Sequence, residues 1–133
     1  MSGIVVMRAV LAADAPLVAA CPADQIVADD LPIDIALPAL SVTLVSSVDR
    51  KVLQRSSVRR VTERVQVAVM ARDATERLEL VALVRSAAAA RIGDFAEVAD
   101  VSIQTESRGP DMTTEGGIRV GMQDFLVSFN EAT

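Results

Sequence analysis

The chain contains no tryptophan, tyrosine or histidine, and only three phenylalanines and one cysteine among its 133 residues. Each scarcity excludes something. Without histidine there is no imidazole base, no proton switch near neutral pH and no histidine metal ligand. Without aromatic residues among its cations the chain has no platform on which bases could stack. A lone Cys21 rules out an internal disulfide framework and leads us to expect a reducing compartment. With no imidazole to activate it, Cys21 reads as a small apolar residue near a helix end rather than as a nucleophile. The apolar N-terminal run is interrupted by Arg8 and Asp14 and lacks a basic leader, so neither a signal peptide nor a membrane span is expected.

What is present is small and aliphatic. Apolar residues make up 51% of the chain, chiefly alanine and valine, so the core is expected to rest on many modest contacts at about 25 cal/mol per Å² buried. The length suits one domain over residues 1–133, large enough to bury about two-thirds of its unfolded surface.

Periodicity predicts a first helix over 3–20, where Ile4, Met7, Leu11 and Val18 share a face and Pro22 ends the pattern. The connector that follows carries Pro22, Pro32 and Pro38 and is expected to run extended over the surface. Leu40, Val42 and Leu44 alternate with Ser41 and Thr43, predicting a strand. Val61, Val65, Val67 and Val69 predict a second strand, opposed by Thr62, Arg64, Gln66 and Ala68. The two pair most simply as antiparallel neighbours through residues 49–60. A helix over 73–93 follows, capped by Asp73 or Thr75 and stopped at Gly93, with Leu80, Leu83, Val84, Ala87 and Ala88 as its apolar stripe. Two further strands are expected, one around Val101 and Ile103, the other around Phe125, Val127 and Phe129. The last carries apolar residues on both faces, which suits a central position or a covered interface. The expected architecture is α+β, in the order α-β-β-α-β-β, with about four mainly antiparallel strands and helices on one face.

Candidate chemistry is sparse. Asp29, Asp30 and Asp34 could be drawn as a cation site, and Asp111 with Glu115 as an acid–base pair, but solvated loop acids and turn chemistry explain both sets. No glycine-rich loop joins a strand to a helix in phosphate-cradling order. The expectation is a non-enzymatic protein with no metal and no cofactor.

Charge is the informative feature. The chain has 13 cations against 18 acids, a net of −5, yet Arg50, Lys51, Arg55, Arg59, Arg60 and Arg64 lie within one stretch whose only acids are Asp49 and Glu63. Such asymmetry suits docking against an acidic surface. A solvated hairpin protected from edge aggregation by its cations is the plainer reading. Head-to-tail self-association, basic arm against the acidic connector of a second copy, accounts for both halves of the asymmetry and suits a closed ring.

The layout of "LPALSVTLVSS", "ERVQVAVMARDATERLELVALVRSAAA" and "SRGPDMTTEGGIRVGMQDFLVSF" behind a short N-terminal helix resembles the tail terminator (tail-completion, minor tail) proteins of siphophages and gene transfer agents. The resemblance spans almost the whole chain and is strongest over 58–129. It implies a structural virion protein, assembled in the host bacterial cytoplasm, that sits as a ring, typically a hexamer, on the head-proximal end of the tail tube. There it ends tube polymerisation and meets the head–tail connector or neck proteins, and DNA passes through its lumen without sequence-specific binding. No membrane is involved. Arg50, Lys51, Arg55, Arg59, Arg60 and Arg64 are the expected subunit or tube contacts, on the charge argument. Another head–tail connector or neck protein, or a small nucleic-acid-binding module, are the alternatives.

Overall fold

The N-terminal apolar run folds as two helices, α1 (Ser2–Ala12) and α2 (Ala15–Ala20), where periodicity suggests one. The break falls at Asp14, which takes an extended backbone and accepts a hydrogen bond from Leu17 N through Oδ2 at 3.1 Å. Pro16 sits in the first turn of α2, where its missing N–H costs nothing, and so starts a helix rather than kinking one. This computed structural model describes residues 2–31, 35–49 and 58–132.

The connector is more ordered than its prolines suggest. A 3-10 turn over Ala23–Gln25 leads into a three-residue strand, β1 (Ile26–Ala28), which pairs in parallel with β2 (Ala39–Asp49) at Ile26↔Leu40 and Ala28↔Val42. Three residues are too few to show an alternation. β2 turns back antiparallel to β3 (Val58–Ala71), with a bulge between Leu44 and Ser46. Helix α3 (Ala74–Ala88) starts at Asp73, whose Oδ1 accepts from Glu76 N at 2.8 Å, while Glu76 reaches back to Arg72 N at 2.9 Å. It stops short of Gly93. The left-handed residue after its cap is Ala90 (φ 59°), and Arg91 Nε donates to Ala87 O at 2.9 Å, close to the helix end.

Gly93 belongs instead to an unexpected strand, β4 (Ile92–Phe95), hairpinned to β5 (Val98–Arg108). Ala96 and Glu97 both have positive φ, the geometry of a type I′ turn, but without the Asn-Gly pair that would signal it. A two-residue strand β6 (Met112–Thr113) and the long β7 (Arg119–Ala132) complete the sheet. Its order is β1-β2-β3-β7-β5-β4, with β6 alongside the start of β7. The expected four or so strands are seven among the described residues, and the sheet is mainly antiparallel, with β1–β2 as a parallel pair. The β2–β3 antiparallel pairing and the central position of β7 are as expected.

Helices α1, α2 and α3 pack on one face of the sheet. Leu40 and Val42 of β2, Val61, Val65 and Val67 of β3, Phe125, Val127 and Phe129 of β7, and Val101 and Ile103 of β5 meet Met7, Leu11, Leu17, Leu80 and Val84 in one buried apolar cluster. Gly121 lies where α3 crosses β7. A Cβ there would sit 3.0 Å from Val81 Cγ2 and 3.1 Å from Arg77 Cγ, so the close approach of helix to sheet depends on the missing side chain.

Candidate interaction surfaces

Beyond the helices the β2–β3 hairpin continues into solvent. Residues 45–49 and 58–59 are exposed, and three of them are apolar: Val45, Val48 and Val58, at 51%, 64% and 44% exposure. Large apolar side chains gathered at one exposed end mark a surface suited to contact. Of the six candidate cations, Arg50, Lys51 and Arg55 belong to the connection between β2 and β3 and lie outside the described residues. Arg59, Arg60 and Arg64 lie on β3.

These three are not one free patch. Arg59 donates from Nη2 to Glu131 Oε1 at 2.6 Å and lies 3.6 Å from Asp49 Oδ2. Its guanidinium is held above its ordinary pKa first by that hydrogen bond and then by the charges of Glu131 and Asp49. Arg60 and Arg64 point to the helix-free face and cross to the neighbouring strands. Arg60 Nη1 donates to Asp100 O at 2.5 Å and to Asn130 Oδ1 at 3.2 Å, and Nη2 reaches Ser102 Oγ at 3.4 Å. Arg64 binds Asp124 Oδ2 through Nε at 2.8 Å and Ser107 Oγ through Nη2 at 2.8 Å. Between them Thr62 and Ser128 share a hydroxyl–hydroxyl hydrogen bond of 2.9 Å. The result is a polar ladder that ties β3 to β7 and β5 on the face without helices.

Two buried acids escape a reading of the sequence for candidate sites. Asp124 is nearly buried beneath the ladder, and its Oδ1 has no hydrogen-bond partner among the described residues, so Arg64 is its principal compensation. Glu63 is 4% exposed on the helix-covered face, and its Oε1 accepts from Gly3 N at 2.8 Å. A carboxylate on the first turn of α1 meets both an otherwise orphaned N–H and the positive end of the helix dipole. A Cβ on Gly3 would fall 2.7 Å from that carboxylate oxygen, so glycine admits the contact. The sequence does hold a signal for it: Glu63 occupies the inward register between Val61 and Val65, where period-two alternation calls for an apolar residue.

The other candidate acids are engaged or dispersed. Asp111 is bound by Arg108 at 2.6 Å and approached by Arg77 at 3.6 Å, while Glu115 sits exposed in a turn. Asp29 uses its backbone, donating to Val42 O at 2.8 Å and accepting from the Ser41 hydroxyl, and Asp34 lies outside the described residues. Among the described residues no three His, Cys, Asp or Glu side chains gather as metal ligands. Cys21 caps α2, fully buried, and its Sγ lies 3.5 Å from Pro38 O. Burial, then the charges of Asp24 and Glu76, push its thiol up to about 11, which leaves it protonated at neutral pH. No helix among the described residues is long and apolar enough to cross a membrane.

Neither a protein-family model nor a curated protein matches the chain. Solved structures do. A chain of the virion of a native gene transfer agent particle superposes with a TM-score of 0.71 at 16% identity, over 98% of this chain and 97% of that one. A second solved chain matches with a TM-score of 0.54 at 15% identity, over 92% and 89%. At such identities the likeness is one of fold, and the fold is shared from end to end.

Proposed function

We propose that this chain is a structural virion protein of a phage or gene transfer agent, and that it acts as a tail terminator. In this reading copies form a ring, about six in number, on the head-proximal end of the tail tube. The ring blocks further tube subunits sterically, catalyses no reaction, takes no cofactor, and offers its other surface to the neck. The observation that carries the reading is the end-to-end match in fold to a chain of a gene transfer agent virion. Two features support it. The β2–β3 hairpin projects exposed valines beyond the core, as a joint between subunits requires. The connection at its end holds Arg50, Lys51 and Arg55 and no acid, in a chain of net charge −5. A nucleic-acid-binding module is the weaker reading, because Arg60 and Arg64 are already committed within the sheet.

The test is native mass over a concentration series with negative-stain imaging. Closed rings of about six copies that loosen as salt rises support the reading. A chain that stays monomeric alone and also fails to block elongation of purified tail tubes overturns it. Charge reversal belongs at Arg50, Lys51 and Arg55. Reversing Arg60 would also break the link to Asp100 and Asn130 and so confound assembly with folding.

A further inference from the structure

Among the described strands, the most exposed large apolar side chains are Val48 of β2 and Ile92 of β4, at 64% and 80%. One row of register partners joins them. Val48 lies opposite Thr62, Thr62 opposite Ser128, Ser128 opposite Ser102, and Ser102 opposite Ile92. Opposite partners share a face, so the whole row stands on the side without helices. Its middle is hydroxylated, with Thr62 and Ser128 bonded at 2.9 Å, and its two ends are apolar. Those ends lie four interstrand steps apart, about 19 Å along the sheet. β4 is the last strand on one side, and β1 covers β2 only at Leu40–Val42. Among the described residues Val48 and Ile92 therefore occupy the two margins of the sheet at one level.

What each margin offers follows from the direction of its backbone groups. The N–H and C=O of a strand residue point to one side, and successive residues alternate. Asp29 N donates to Val42 O at 2.8 Å, so Val42 turns its groups away from β3. Val42, Ser47 and Asp49 pair with Val67, Glu63 and Val61, which are even steps apart on β3. Ser47 and Asp49 therefore also point outward. On the other margin Ile103 N donates to Arg91 O at 2.9 Å. Arg91 thus faces β5, and Ile92 turns its N–H and C=O outward. Every step from β2 through β3, β7 and β5 to β4 is antiparallel, so β2 and β4 run in the same direction.

This is the pattern that a parallel pair requires, in which a residue facing its neighbour bonds the two residues flanking its opposite number. With Ile92 set opposite Val48, its N–H meets Ser47 O and its C=O meets Asp49 N–H. The two apolar side chains then come together on one face. Ser47 falls beside Arg91 and Asp49 beside Gly93, so no like charges are opposed. Because both margins lie at one level, copies turned about an axis along the strands meet without a rise from one to the next.

We infer that the β2 edge at Ser47–Asp49 of one copy pairs in parallel with the β4 edge at Ile92 of the next, with Val48 packed on Ile92 across the joint. The inference rests on the ring reading and specifies its joint. Open strand edges are where chains add strands, and the apolar pair adds burial to the backbone bonds.

The double variant Val48→Cys/Ile92→Cys tests it, oxidised both alone and with purified tail tubes. Both positions are exposed, so it is expected to keep the circular dichroism and melting temperature of the wild type, and fully buried Cys21 does not compete. A non-reducing gel should show a covalent ladder that ends at the ring number, while each single variant gives one band. Val48→Lys and Ile92→Lys should each associate roughly tenfold or more weakly than the wild type. Rings or capped tubes without a ladder, or Lys variants that assemble as well as the wild type, overturn the joint and leave the ring reading standing. So does a disulfide closed within one copy, seen as a faster-moving oxidised monomer. A wild type that neither forms rings up to about 1 mM nor blocks tube elongation overturns both.

Discussion

The two faces of β7 are built from one alternating stretch of chain and stabilised in different ways. Odd-numbered Phe125, Val127 and Phe129 face the helices, buried and apolar. Even-numbered Asp124, Ser128 and Asn130 face the side without helices and join a ladder of hydrogen bonds with Arg64, Thr62 and Arg60. On the first face strength comes from excluded water and is indifferent to partner identity so long as volume is kept. On the second it depends on particular pairs, and removing one partner leaves the other stranded. One strand therefore teaches that burial alone does not say how a position is held.

The largest effect should come from the apolar face. Phe125→Ala removes a fully buried ring between β3 and β5 and is expected to cost about 3–5 kcal/mol, read as a fall in the denaturant midpoint. A smaller loss, near that of an exposed site, would mean that the helix-covered face is not the main source of stability. Next comes the polar exception on that same face. Glu63→Ala leaves the buried Gly3 N–H without this acceptor, and a loss of about 2 kcal/mol is expected, with faster amide exchange in the first turn of α1.

On the ladder, Arg64→Ala should cost about 1–2 kcal/mol, less than breaking a fully buried pair because Arg64 is partly in water. The double variant Arg64→Ala/Asp124→Asn should recover part of that loss, since no buried charge is then left uncompensated. Arg59→Ala makes a sharp control. Its partners are equally charged but solvated, and its melting curve should overlay the wild type. The smallest effect lies away from both faces. Glu76, hydrogen-bonded by Arg72, has its carboxyl held below the ordinary 4.5. Its contribution is complete above that value and is lost as pH falls through the lowered pKa. Glu76→Gln should accordingly flatten the acid limb of a stability–pH profile while changing little at neutral pH.

Much of this contrast is legible in the order of residues alone. The alternation in β3 and β7, the α3 cap at Asp73 and the central position of β7 all follow from local chemistry that a short window contains. β1 and β4 are hidden from such a window for a different reason. Three residues against β2 and four beside an Ala96-Glu97 turn carry no periodic pattern, and only pairing with a neighbouring strand makes them strands. The basic arm is visible as charge, but not that Arg60 and Arg64 are absorbed by Asp100, Asn130 and Asp124, which lie some 40 to 70 residues further along the chain.

By itself the sequence determined the aliphatic core, the period of its main strands, the helix cap and the separation of basic from acidic charge, because each depends on residues within a few positions of one another. Only the tertiary structure decided that Arg59, Arg60 and Arg64 are each engaged by partners on neighbouring strands and that Glu63 could be buried against α1. Those outcomes depend on which distant segments become neighbours, and that is settled by packing the whole chain at once.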